Sequence, residues 1–140
     1  MQKLTCALLV DDDQTTNYLN QLLLKRLDVT DRLLVALNGH EALKLLEVHC
    51  HEASLECPML ILLDVKMPVM NGFEFLEAYA QLPIPNKQAI IIVMLTTSLH
   101  PQDVGRLEHL NIAGFLNKPL TREKVDSILQ DHFNRHLPSA

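Results

Sequence analysis

The sequence predicts an α/β fold of the doubly wound (βα)5 class, with five parallel strands in one sheet and helices on both faces. Three observations carry this. Short runs rich in aliphatic and β-branched residues, "CALLV", "RLLVAL", "MLILL", "AIIIVML" and "IAGFL", read as strands buried on both faces. Longer amphipathic stretches lie between and after them, at 14–27, 39–49, 72–82, 101–110 and 121–135. Strict alternation of the two types, with no linker, repeat or low-complexity segment, implies parallel pairing through right-handed crossovers.

Each element has a local reason. The first strand runs into "DDD", and Asp13 stands directly before "QTTNYL", where an aspartate caps a helix. Leu19, Leu22, Leu23 and Leu27 then recur at three- and four-residue steps and predict the buried stripe of the first helix. The second strand closes in the bland "ALNG", whose Gly39 opens the second helix. "HCHEASLECP" and "LPIPNKQ" lack either period and read as surface loops. The third strand ends at Asp64, the fourth in "LTTS" and the fifth in "NKP".

At 140 residues the chain has the length of one ordinary domain with a substantial core. It is 48% hydrophobic and 21% charged with a formal net charge of −5, a globular and mildly acidic balance that argues against direct nucleic-acid binding. The amino terminus, "MQKLTCALLVDDD", has one lysine and an apolar run cut short by acids, so neither a signal peptide nor a membrane span is expected. Three cysteines, Cys6, Cys50 and Cys57, form an odd set without a familiar spacing. They argue against a disulfide framework and for a reducing, cytoplasmic location.

A doubly wound sheet binds ligands outside the carboxyl ends of its strands. Four strand ends here bring acids, hydroxyls and one lysine. With the flavodoxin-like order 2-1-3-4-5, strands one and three are neighbours at the switch point, so Asp11, Asp12 and Asp64 share one crevice. Like charges in one crevice repel, and a hard divalent cation with oxygen ligands relieves them. Mg2+ is the natural cofactor.

The set "LLVDDD", "LLDVKMPVMNG", "MLTTS" and "NKP", in this order and each at a strand end, resembles the receiver domain of two-component response regulators across essentially the whole chain. The resemblance implies that Asp64 is the phosphoacceptor, followed by the matching Met67, Pro68 and Gly72. Asp11 and Asp12 are then the acidic pair, Thr96 the hydroxyl switch residue, Lys118 the active-site lysine with a cis bond to Pro119, and Phe115 the switch aromatic. Asp12, Asp64 and the Lys66 carbonyl would hold Mg2+, with Asp11 acting through a bound water. A sensor histidine kinase or histidine phosphotransfer protein would donate the phosphoryl group, and an unidentified downstream protein would read the result. The chain ends one helix past Lys118, so no output domain is expected.

Other readings compete. Lys118 alone would be a surface lysine, Thr97 and Ser98 turn residues, and Phe115 plain core. "HCH" at 49–51 with Cys57 fits no usual zinc spacing. "DDDQT" also fits D-x-D-x-T, the motif of haloacid dehalogenase-type phosphatases, with Asp11 as nucleophile and Asp13 as acid–base. That family needs a further strand-end acidic pair after the lysine, which is missing here, and it leaves Asp64 without a task.

Overall fold

The computed structural model describes residues 2–51, 57–85, 87–97 and 112–137. Among them the strands are β1 (Ala7–Val10), β2 (Leu33–Ala36), β3 (Leu60–Asp64), β4 (Ile91–Thr96) and β5 (Gly114–Asn117). The helices are α1 (Gln14–Leu27), α2 (Gly39–His49), α3 (Gly72–Gln81) and α4 (Arg122–Phe133), with one 3₁₀ turn at Lys87–Ala89. The helix expected over 101–110 lies outside the described residues. No helix among the described residues is long and apolar enough to cross a membrane.

The five strands pair in the order β2-β1-β3-β4-β5, all parallel, as the alternation predicts. Alternate residues of the central strands feed two separate cores. Leu8, Val10, Ile61, Leu63, Ile92 and Met94 pack with Ala42 and Leu46 of α2 and Phe75, Leu76 and Tyr79 of α3. Leu9, Leu60, Leu62, Val93 and Leu95 face the other way, onto Leu24 of α1 and Val125, Ile128 and Leu129 of α4.

Side chains fix where each helix begins. Asp13 accepts from the backbone N–H of Thr15, Asn38 from that of Glu41, and Thr121 from that of Lys124. Asn71 and Glu74 form a reciprocal capping box at α3. Left-handed caps at Asp28 (φ 56°) and Asn134 (φ 53°) close α1 and α4.

Three expectations are corrected. β2 and β5 are edge strands, so they are only partly buried, whereas β1 and β3 are buried throughout. The buried stripe of α1 is Asn17, Asn20 and Leu24, with Leu23 and Leu27 half-buried, while Leu19 and Leu22 are exposed at 56% and 41%. Leucine spacing alone points to a row one step round the helix, because it gives no weight to an asparagine with a backbone partner. Finally, Cys50 and Cys57 are joined by a disulfide with sulfurs 2.09 Å apart. The end of α2 and the approach to β3 bring their Cα atoms to 4.5 Å, a proximity that a spacing of seven residues does not reveal. Cys6 is buried in the core and takes no part in this disulfide.

Candidate functional site

Strand register brings the residues of the site together. Val10 pairs with Leu63 across β1 and β3, so the next residues, Asp11 and Asp64, stand level at the sheet's edge. Thr96 closes β4 opposite Asn117, and the Lys118 backbone N–H donates to the Thr96 carbonyl at 2.8 Å. The Lys118–Pro119 peptide bond is cis, as the resemblance implies.

Asp11, Asp64 and Thr96 are buried, at 4%, 8% and 4% exposure, in a region where polar groups need partners. Lys118 supplies one of them. Its Nζ lies 2.7 Å from Asp11 Oδ2 and 3.2 Å from Asp64 Oδ1, bridging the two carboxylates. The second Asp11 oxygen, Oδ1, accepts from the Asp13 N–H at 2.9 Å. Burial draws the Lys118 ammonium down, but the hydrogen bond to Asp11 and the charges of Asp64 and Asp11 outweigh it, and its pKa rises.

Asp64 is short of such support. Burial first, and then the negative charge of Asp11, push its pKa from 3.8 up to about 6, against the partial relief that Lys118 provides. The cluster therefore carries more negative charge than its own residues neutralise. Oxygens of Asp11, Asp12 and Asp64 lie within 4.8 Å of one another, with Asp12 open to solvent. A donor set of three carboxylates, two buried and one open to solvent, suits a hard divalent cation. Beside it opens a cleft of about 430 Å³, lined by Asp12, Lys66, Met67, Pro68 and Asn71.

The raised Asp64 pKa has a stability consequence. In the unfolded chain the carboxyl ionises near 3.8, whereas in the metal-free fold it keeps its proton to about 6. Its preference for the fold is complete below the lower value and is lost as pH rises through the upper one. Asp64→Asn should therefore match wild type in metal-free urea unfolding near pH 4 and exceed it above pH 6. Equal midpoints at pH 7.5 would show that no repulsion is stored there.

Asp13 has another task. Its carboxylate accepts from the Thr16 hydroxyl at 2.7 Å and the Thr15 N–H at 3.1 Å, which lowers its pKa. It is the cap, and it is not free for the acid–base role of the phosphatase reading. Asp13→Ala should lower Tm by about 2–6 °C, the usual range for a lost cap, and leave metal affinity largely intact. Asp12→Ala should abolish metal binding with little effect on Tm. Calorimetric Mg2+ titration beside thermal melts separates the two.

Phe115 is on β5 at 42% exposure, so plain core does not describe it. Lys66 is exposed, and Ser98 lies outside the described residues. Asn17 escaped sequence reasoning altogether. It is buried at 3%, and its amide donates to the Asp11 carbonyl at 2.8 Å.

A doubly wound sheet with three carboxylates, a hydroxyl and a lysine gathered at its strand ends defines a class of phosphoaccepting signalling domain. The family model for the response regulator receiver domain matches residues 7–130. The chain belongs to this family. It is 34% identical over 127 residues to the Arabidopsis thaliana two-component response regulator 24, covering 91% of this chain and 82% of that protein. It is 32% identical to response regulator Rcp1 of Synechocystis, covering 88% and 82%. Among solved structures, a two-component response regulator from Cytophaga hutchinsonii superposes with a TM-score of 0.83 at 27% identity, covering 96% of this chain and all of that one. The phosphorylated cyanobacterial phytochrome response regulator RcpA superposes at 0.74 with 26% identity, covering 96% and 99%. The chain is accordingly a phosphoaccepting receiver domain of a two-component or phosphorelay system.

Proposed function

We propose that Asp64 is the phosphoacceptor and that Asp12, Asp64 and the Lys66 carbonyl hold Mg2+, with Asp11 completing the acidic site. One observation carries the reading: Asp64 closes β3 beside Asp11 and Asp12, with one oxygen held by Lys118 and its own pKa pushed up to about 6. An Asp64 oxygen attacks the phosphorus of a phosphohistidine on a sensor kinase or phosphotransfer protein. The new P–O bond forms as the P–N bond breaks, and the imidazole nitrogen leaves with the electron pair. Mg2+, when bound, supplies charge neutralisation on the transferring oxygens.

This chain's own groups do the rest. Lys118 already sits between two carboxylates and pairs with a phosphoryl oxygen once Asp64 carries the acyl phosphate. Thr96 donates its hydroxyl to another phosphoryl oxygen, and its movement leaves room for Phe115 to turn inward. That rearrangement changes the surface around β5, which an unidentified downstream protein reads. The protein is a signalling domain that catalyses its own phosphorylation and dephosphorylation, not an enzyme for an outside substrate. A cytoplasmic site of action fits the phosphohistidine donor; the cysteine pattern no longer supports it.

Incubation with a phosphorylated histidine phosphotransfer protein, followed by intact-mass spectrometry with Mg2+ and with EDTA, tests the reading. One phosphoryl group gained only with Mg2+ is the expected result. Metal-independent gain, or none from any phosphohistidine donor, would overturn it.

A further inference from the structure

We propose that Asn17 is a positioning residue for the metal-binding carboxylates, holding the turn between β1 and α1 in the shape that presents Asp11 and Asp12 to the cation. The proposal rests on the Mg2+ site argued above. Asn17 occupies the face of α1 that turns toward the sheet, level with Asn20 and Leu24, where a helix ordinarily buries leucine. Its Nδ2 donates to the backbone carbonyl of Asp11 at 2.8 Å, six residues back along the chain. Because a peptide unit is planar, fixing the Asp11 carbonyl also fixes the direction of the Asp12 N–H and the placement of the Asp12 Cα.

Two further bonds hold the same turn. The Asp11 N–H donates to the Ala36 carbonyl at 3.1 Å, and the Asp13 N–H donates to Asp11 Oδ1 at 2.9 Å. Asp11 is thus held by its N–H, its carboxylate and, through Asn17, its carbonyl. Without the third bond the Asp11–Asp12 peptide plane loses the restraint on its carbonyl, and Asp12, which is exposed, makes no hydrogen bond or ion pair among the described residues that would replace it. The turn would then lose the alignment that keeps the three carboxylates within 4.8 Å of one another.

The same side chain is a poor piece of core. Its Oδ1 is buried with no hydrogen-bond partner, and a buried unsatisfied carbonyl oxygen weakens a fold. Leucine, of similar size, removes that unpaired oxygen but leaves the Asp11 carbonyl without its partner, so the two effects offset and the metal-free fold should stay close to wild-type stability. A residue serving packing alone would lose metal-free stability and keep its metal affinity.

Asn17→Leu and Asn17→Ala should be compared with wild type and Asp12→Ala in the full chain, by calorimetric Mg2+ titration and by thermal melts in EDTA. Loss of a group that orients metal ligands typically weakens affinity by about 10–100-fold, and that is expected for Asn17→Leu at a metal-free Tm close to wild type. Its slowed phosphorylation should also recover as Mg2+ is raised to saturation. Wild-type affinity in a folded Asn17 variant, with Asp12→Ala silent, overturns this inference and leaves the site reading standing. No Mg2+ binding by wild type overturns both. Should Asn17→Leu fail to fold, Asn17→Ala decides, and loss of the metal-free fold in both makes Asn17 a core residue and ends the proposal.

Discussion

Asp64→Asn is expected to accept no phosphoryl group above background from a phosphohistidine donor, even at saturating Mg2+. The amide is nearly isosteric with the carboxylate but has no anionic oxygen to attack phosphorus, so the fold persists while the nucleophile is gone. Its neighbours do not replace it. Asp11 has one oxygen engaged by the Asp13 N–H and the other by Lys118, and Asp12 is the residue proposed for the cation. Asp13 is spent on the α1 cap. Intact-mass spectrometry over a time course, with the metal-free unfolding midpoint as a control for folding, checks this. An Asp64→Asn protein that gains one group at the wild-type rate removes Asp64 from the mechanism and directs attention to Asp11 and Asp12.

Much of this site was legible in the sequence because two periodicities coincide with chemistry. Apolar runs such as "MLILL" mark strands by their length and saturation, and the polar residue that ends each run lies at the carboxyl edge of the sheet. Asp11, Asp64, Thr96 and Lys118 could be grouped on that ground before any distance was known. What could not be read depends on contacts between segments distant in sequence. Lys118 bridges Asp11 as well as Asp64, a pairing across 107 residues. The edge strands look as apolar as the central ones, since burial of β2 and β5 is decided by the absence of a neighbour on one side. Leucine spacing points to the wrong face of α1 because Asn17 counts as polar in any hydrophobic period, although its backbone bond to Asp11 lets it be buried.

Gly72→Ala should carry the next largest effect, on stability and transfer together. Gly72 opens α3, and its N–H donates to the Val65 carbonyl at 2.9 Å, which ties the helix to the chain just past Asp64. Its φ is not positive, so the requirement for glycine is purely steric. An added Cβ would stand 2.6 Å from the Asp64 backbone oxygen, 2.9 Å from Met94 Cε and 3.2 Å from Val65 Cα. The Met94 methyl can swing aside. The Asp64 carbonyl belongs to β3 and cannot retreat without distorting a strand that is paired on both sides. Helix propensity favours alanine by at most about 1 kcal/mol, whereas overpacking against fixed atoms costs typically about 1–3 kcal/mol and occasionally more, so destabilisation wins. The strain is relieved by parting α3 from the end of β3, which displaces Asp64 itself, and a misplacement of about 1 Å at a reacting group can slow transfer by about 10²-fold. Glu74→Ala is the control, since it breaks the capping box without adding an atom beside Asp64 and lies outside the lining of the cleft. It should lower Tm while leaving the transfer rate near wild type, whereas Gly72→Ala lowers both. Wild-type Tm and transfer rate in Gly72→Ala would show that α3 is not held against Asp64 at this position.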